Sequence, residues 1–575
     1  MKARRDMWRR TLLRCGLVAV VIGGVVATLL IISGRSGSLI RTVQSPVITH
    51  VLEEGRLTPR NEIQVAWARD MDRLARQAYL ASRRFQRRGV VLLLVCLGAS
   101  LICLQGAALL GGTLQDPRRY TASDKGRGMR RAVSMAAISC CVFVMGWHLW
   151  RLATVRSLAP SLGAELAAHT GKNGASPPSS PLESSLPPPL DDAVLARGWT
   201  QFRGPYGLGV AAATNVPLAW DVATGSGIRW KVTIEQPGFS SPVVWDGKVF
   251  LTTADKQERA VSAFDLASGV RLWRRVVAYG GGAVPLPEAT DDTGYAAPTM
   301  ACDGVRVFTL FGTGDLAAFT LAGAPVWRQH LGNAAIDYGH ASSLLVAGGL
   351  LIVQGDRHED GVVKALDPMT GDLRWALARE VGPSWSSPVA IPGDEVRLLL
   401  HAAHATSLHR LTDGTLLSLF DAVGGEIAPS PAWDAGRIIV AQEYARVVAF
   451  SSEVEDPTAL WEFFDCLPSV ASPVAWNGRI WVSDQGGGTA CLDGATGALQ
   501  WEHFFDEGCY ASPIIAGGHL YLVDRTGNVQ ILETGSSFKL VATRPLGEAC
   551  DATPAVGEGY LIFRTAKHLI CVADD

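Results

Sequence analysis

From about residue 240 to its end, the chain repeats one pattern eight times. A small residue and a proline lead into a few apolar residues, a Gly- or Asn-containing turn and a second apolar run. The phase marks are Pro242, Pro298, Ser343 (standing in the proline's place), Pro388, Pro431, Pro473, Pro513 and Pro554, at intervals of 56, 45, 45, 43, 42, 40 and 41 residues. A period of about 40–45 residues built from short strands is that of β-propeller blades. The pattern predicts an all-β fold: an eight-bladed β-propeller of four-stranded antiparallel blades over residues 196–575.

One blade shows the grammar. Ser240 to Trp245 reads as a first strand, and Asp246-Gly247 as a hairpin turn. Val249 to Thr252 and Val261 to Asp265 are the second and third strands, Ser268-Gly269 turns again, and Trp273 ends the fourth. Asn477-Gly478 and Gly517-Gly518 supply later turns, where positive φ is tolerated. The run Ala263-Phe264-Asp265-Leu266-Ala267-Ser268-Gly269 before Trp273 recurs at residues 365–371 before Trp375 and at 491–497 before Trp501. Gly323 and Trp327 keep the same spacing. The Asp is placed to accept turn amides, and the Trp is large enough to fill the space between blades. Blades four, seven and eight have lost parts of this motif. After Thr553-Pro554 only three strands' worth of chain remains, ending at Cys571-Val572-Ala573. Ile228 to Val232, with Trp230, supplies the missing strand and joins the ring's ends.

Net charge is −2, which offers no field for nucleic acid. Mean hydropathy is +0.18, high for a wholly soluble chain. Three apolar runs at about 15–33, 89–112 and 132–150 account for it and predict transmembrane helices. Basic residues before the first run and between the second and third place the N-terminus inside the cell and the repeats outside. Arg83, Arg84, Arg87 and Arg88 of the first loop run against that rule. The predicted home is a bacterial inner membrane, with the propeller in the periplasm. Residues 1–170 form the expected membrane domain. Within it, an amphipathic helix over 61–88 carries Trp67, Met71, Leu74, Ala78, Ala81 and Phe85 on one face. That face suits the membrane surface, or self-association as a short seam. Residues 171–195 form a tether, with six prolines and five serines between 171 and 190.

The tandem A-x-D-x-x-(S/T)-G-x-x-x-W units resemble the pyrroloquinoline-quinone (PQQ) repeat family of eight-bladed propellers. Trp199-Thr200-Gln201-Phe202-Arg203-Gly204-Pro205, followed by Gly207 and Gly209, is similar to the lead-in of its BamB-like branch. The resemblance covers roughly residues 196–575. It implies either a non-catalytic protein-binding scaffold, as in envelope protein assembly, or a PQQ- and Ca²⁺-dependent quinoprotein dehydrogenase acting on alcohols or sugars. The second would need a quinone pocket, oxygen ligands for calcium and an Asp base, and often has a disulfide between adjacent cysteines. The one Cys-Cys pair, Cys140-Cys141, lies in an apolar run, and no C-x-x-C-H haem site exists. No catalytic, cofactor-binding or metal-binding residues are assigned, and a protein partner is expected.

Aligning the blades places Phe239, Tyr295, His340, Trp385, Ala428, Val470, Tyr510 and Asp551 three residues before each mark. They are expected at one mouth of the central channel. Phe239, Tyr295, His340, Trp385, Tyr510 and Asp551 form the candidate binding surface for an extended peptide or flat ligand, with Trp385 and Tyr295 as anchors. Channel filling is the plainer alternative. Glu288, Asp291 and Asp292 occupy a long excursion between blades one and two, a candidate partner-binding loop. Arg357-His358-Glu359-Asp360 reads as a solvated insertion. His401, His404 and His409 do not share a strand face in a way that suits a metal. Cys509 and Cys550 hold equivalent positions in adjacent blades, within reach of a disulfide, whereas Cys491 and Cys571 read as buried thiols.

Overall fold

The structure, a computed structural model, describes residues 186–573 apart from 283, 333–335, 337, 358–360, 404, 421, 423–424 and 454–457. The three apolar runs, the 61–88 helix, most of the tether, His358, Glu359, Asp360 and His404 lie outside the described residues. Among those described, no helix is long and apolar enough to cross a membrane. The chain divides into two units, Met1–Gly174 and Ala175–Asp575, and the repeats all fall in the second.

Eight four-stranded antiparallel sheets make up the described fold. In seven, four consecutive strands pair in chain order; in the eighth, Ile228–Thr233 lies beside His568–Ala573. Trp230 stands opposite Cys571, so the ring closes as the strand count requires. The first strands of neighbouring blades touch, which sets them around the axis. They are short, from Val243–Trp245 in blade one to Ala555–Gly557 in blade eight. The turns follow the residues: Asp246-Gly247, Asn477-Gly478 and Gly517-Gly518 all have positive φ at both positions.

The Trp motif is the seam between blades. The indole N–H of Trp230, Trp273, Trp327, Trp375, Trp461 and Trp501 donates to Leu266, Leu321, Pro368, Leu411, Gly494 and Gly535 carbonyls of the next blade, at 2.8–3.1 Å. Beneath five of these rings lies the motif glycine of that next blade: 269, 323, 371, 414 and 497. Asp265 Oδ1 accepts from the Ser268 amide (2.8 Å) and hydroxyl (2.6 Å), fixing the turn that presents its glycine. A bulge follows the residue opposite each Trp, as between Ala263 and Phe264, and re-aims the strand there.

A chain of hydroxyls fixes the register around the axis. The amides of Ser241, Thr299, Ser343, Ser387, Ser430, Ser472 and Ser512 each donate to the next blade's hydroxyl, ending at Thr553, at 2.9–3.1 Å. This corrects the phase in two blades. Thr299 and Ser343 match Ser241, so Met300 and Leu344 take the proline's place, not Pro298 and Ser343. The hydroxyl, rather than the imide ring, sets the repeat.

Candidate functional site

Residues 199–215 lie around the axis and meet all eight blades between them. The carbonyls of Trp199 and Thr200 accept from Val244 and Cys302 of blades one and two, both at 2.8 Å. Gln201 Oε1 accepts from Val346 of blade three at 2.8 Å. Gly207 sits by blade four, where an added Cβ would lie 3.5 Å from the Pro388 carbonyl. Arg203 donates to the Pro431 carbonyl of blade five (3.1 Å) and the Pro473 carbonyl of blade six. Gly209 accepts from Ile515 of blade seven, and Asn215 from Gly559 of blade eight, both at 2.8 Å. Val244, Cys302, Val346 and Ile515 hold one equivalent position, so this segment pairs amides that would otherwise face an open bore.

Arg203 is fully buried and forms no ion pair among the described residues. Its two terminal nitrogens donate to three carbonyls, of Leu208, Pro431 and Pro473. Burial lowers its pKa to about 9, still charged at neutral pH. Its backbone has φ +60, and Gly204 follows at φ +64, where a Cβ would lie 2.4 Å from the Trp199 ring. The segment thus closes the bore from one side with its own chain.

The opposite mouth carries the predicted ring, in corrected form. In the hydroxyl register the eight equivalent residues are Phe239, Ala297, Ala341, Trp385, Ala428, Val470, Tyr510 and Asp551, and none of them is buried. Tyr295 and His340 fall five and four residues before their marks, not three, and both turn inward. Tyr295 is 8 % exposed, packs with Val277, Ala296 and Phe311, and donates to the Pro287 carbonyl at 3.0 Å. His340 is 6 % exposed, and burial followed by the Arg357 charge lowers its pKa to about 4. Neither is an anchor at the mouth. Trp385 is half-buried, donates to the Gly339 carbonyl at 2.9 Å and lies 5.5 Å from the Tyr338 ring.

Arg525 was not marked by the sequence pattern, yet it organises this mouth. Its guanidinium carbon stands 3.8 Å over the Tyr510 ring. Its Nε donates to Asp551 at 3.0 Å, and one terminal nitrogen reaches Asp292 at 3.2 Å. Burial opposes the charge, but the bond and charge of Asp551 outweigh it and raise the pKa. Aligning the turns after the second strands sets Arg525 against Gln485 and Ala566, and that contrast was the available signal.

Asp292 belongs to the excursion between blades one and two, which lies over this mouth. The Thr290 amide donates to the Tyr338 carbonyl at 3.1 Å. A Cβ on Gly339 would lie 3.0 Å from that of Ala289, and one on Gly294 would lie 3.8 Å from the Phe239 ring. Phe239, Tyr338 beside Trp385, and Arg525 over Tyr510 therefore all meet residues 289–294.

Other candidates resolve as structure. His401 Nδ1 bonds Thr406 Oγ1 at 2.8 Å, and His409 bonds Ser407 Oγ at 2.8 Å and the Gly414 carbonyl at 3.0 Å. Among the described residues, no group of three His, Cys, Asp or Glu could hold a metal ion. Cys509 and Cys550 are free, buried thiols rather than a disulfide, and Cys550 lies against the Arg564 carbonyl at 3.1 Å. Cys491 and Cys571 are likewise buried, and burial raises both to about 12.

Similarity to known proteins follows the blades. Solved structures of the same fold include a europium-containing methanol dehydrogenase (TM-score 0.50, 11% identity, 65% of this chain and 92% of that one). The quinohemoprotein alcohol dehydrogenase ADHIIG from Pseudomonas putida HK5 gives a TM-score of 0.51 at 11% identity, over 67% of this chain and 82% of that one. BamB from Moraxella catarrhalis shares 15% identity, covering 60% of this chain and 96% of its own, with a TM-score of 0.45. No curated protein matches the chain. The family model described as outer membrane protein assembly factor BamB matches residues 206–293, 289–417 and 404–566, and the chain belongs to that family.

Proposed function

We propose that this protein is a non-catalytic scaffold whose propeller binds partner proteins, held by its N-terminal apolar runs on the exported side of a bacterial inner membrane. One observation carries the binding reading. Residues 199–215 close the bore from one side, while the other mouth carries Phe239, Trp385, Tyr510 and Arg525 beneath residues 289–294. Aromatic residues and arginine are the side chains that dominate protein interfaces. Membership of a family described as an assembly factor supports the same reading.

A calcium-held quinone fits this mouth poorly. Of its carboxylates, Asp292 and Asp551 are both engaged by Arg525. The six cysteines described are free and none adjoins another, so the adjacent-cysteine disulfide has no counterpart.

A photo-crosslinking residue at position 385, in full-length protein in its membrane, tests the scaffold. Discrete protein adducts are expected there and not from position 499 on an outer strand. Equal labelling from both positions overturns the reading. So does dye-linked alcohol or sugar oxidation by purified protein supplied with PQQ and Ca²⁺. A reporter fused near residue 190 reads the topology: periplasmic activity is expected, and cytoplasmic activity removes the exported placement.

A further inference from the structure

The excursion that covers the mouth is itself a peptide on a peptide-binding surface. We propose that residues 284–294 are an internal stand-in for an acidic segment of a partner protein, and that Arg525 reads the partner's carboxylate. The proposal rests on the scaffold reading and adds the chemistry of what is bound.

Arg525 has two unlike carboxylate partners. Asp551 comes from the blade wall and is mostly shielded, at 18 % side-chain exposure. Asp292 comes from the excursion and is 65 % exposed. The Tyr510 face and Asp551 hold the guanidinium in place. One terminal nitrogen is shared: it donates to Asp551 Oδ2 at 3.4 Å and reaches outward to Asp292 at 3.2 Å. An arginine fork oriented on an aromatic face and a fixed acid is a preorganised carboxylate receptor. Asp292 is then its resident ligand.

The excursion, beyond the Tyr295 bond to the Pro287 carbonyl that ties its first half down, has at its tip the features of a replaceable ligand. Gly280, Gly281 and Gly282 precede it, and Pro285 and Pro287 keep its first half extended. Its tip carries Glu288, Asp291 and Asp292, opposite in sign to Arg525. An exposed ion pair of this kind adds little stability, so a competing carboxylate faces a small barrier to exchange. Leu286 and Ala289 pack inward, and Asp292 follows at the same spacing of three. The segment that replaces it therefore carries an aspartate or glutamate three residues after a small apolar side chain.

The test uses full-length protein in nanodiscs and a fluorescent synthetic peptide of residues 284–294, VPLPEATDDTG. Asp292→Asn removes the outer charge that faces Arg525 without touching the core. This variant is expected to bind the peptide about fivefold more tightly than the unaltered protein, the worth of one exposed pair. The gain disappears when Arg525→Gln is added, when the peptide's second aspartate is asparagine, and at high salt. Arg525→Lys, which keeps the charge and loses the fork, gives an intermediate affinity. Equal peptide binding by the Asp292→Asn and unaltered proteins overturns the proposal, as does a gain that survives Arg525→Gln. Matching thermal midpoints for the variants show that folding is not the cause. Crosslinking from position 385 that persists while the peptide fails leaves the scaffold standing and removes only this inference.

Discussion

The indole of Trp230 lies on Gly269, where a Cβ would come within 2.7 Å of the ring, and donates to the Leu266 carbonyl at 2.8 Å. Trp230 precedes every blade in the chain, and Gly269 belongs to blade one. The strand that completes blade eight is therefore fastened to its neighbour by the same joint that the other blades use. Trp230→Ala removes a large buried side chain and the bond together. A loss of about 3–5 kcal/mol is expected in denaturant unfolding. Hydrogen exchange should quicken first in Ile228–Thr233 and His568–Ala573, and uniform acceleration would contradict the closure role.

The joint depends on glycine for two separable reasons. Gly323 has φ +81, and its Cβ would meet Trp273 at 2.6 Å. Gly518 has φ +75 with open space around it. Gly518→Ala should cost about 1 kcal/mol for the left-handed backbone alone. Gly323→Ala should cost about 1–3 kcal/mol more, because the seam is overpacked. Equal melting shifts for the two variants would sink the packing account.

Arg203 is a buried cation held by carbonyls. Arg203→Met keeps much of the volume but leaves the Pro431, Pro473 and Leu208 carbonyls without their donors. A destabilisation of about 2–4 kcal/mol is expected. Lysine should not restore it, since one ammonium cannot reproduce the fork. Full rescue by Arg203→Lys would show that charge alone matters.

Buried histidines set an acid limit on stability. Burial is the first cause lowering His340 to about 4, His401 to about 3 and His409 to about 4. The unfolded chain titrates near pH ~6.5 and so binds more protons over the window below it. Stability is present above about pH 6.5 and falls as pH drops towards 4, by on the order of 3 kcal/mol at most for each ring. His401→Asn should flatten the slope of unfolding midpoint against pH between 6 and 4. An unchanged slope would place the acid sensitivity elsewhere.

What was legible in the sequence was local. Asp-Gly and Asn-Gly turns, alternating strands and the Gly-to-Trp spacing each act within a few residues, and they gave the blade and its count. The displaced strand at Trp230 followed from counting. Proline misled the register at Pro298 and Ser343, because the hydroxyls of Thr299 and Ser343 are what the neighbouring amides bind. That slip put Tyr295 and His340 at the mouth when their side chains face inward. Arg525 stayed hidden because its partner Asp292 is 233 residues away, a distance no repeat pattern bridges.

The axial run of residues 199–215 has a consequence for how the ring is made. Its partners run from Val244 of blade one to Gly559 of blade eight, the last 344 residues beyond Asn215. As the chain is produced, this strip exists before any blade and is satisfied only after the final one. The blades therefore lock together late, not one by one as in an open array of repeats. The strip also works as a gauge. Its length spans eight blades, so a copy with one blade deleted would leave part of it without a seat. Blade number is thus written twice in this protein, once as repeats and once as the length of a single extended strip.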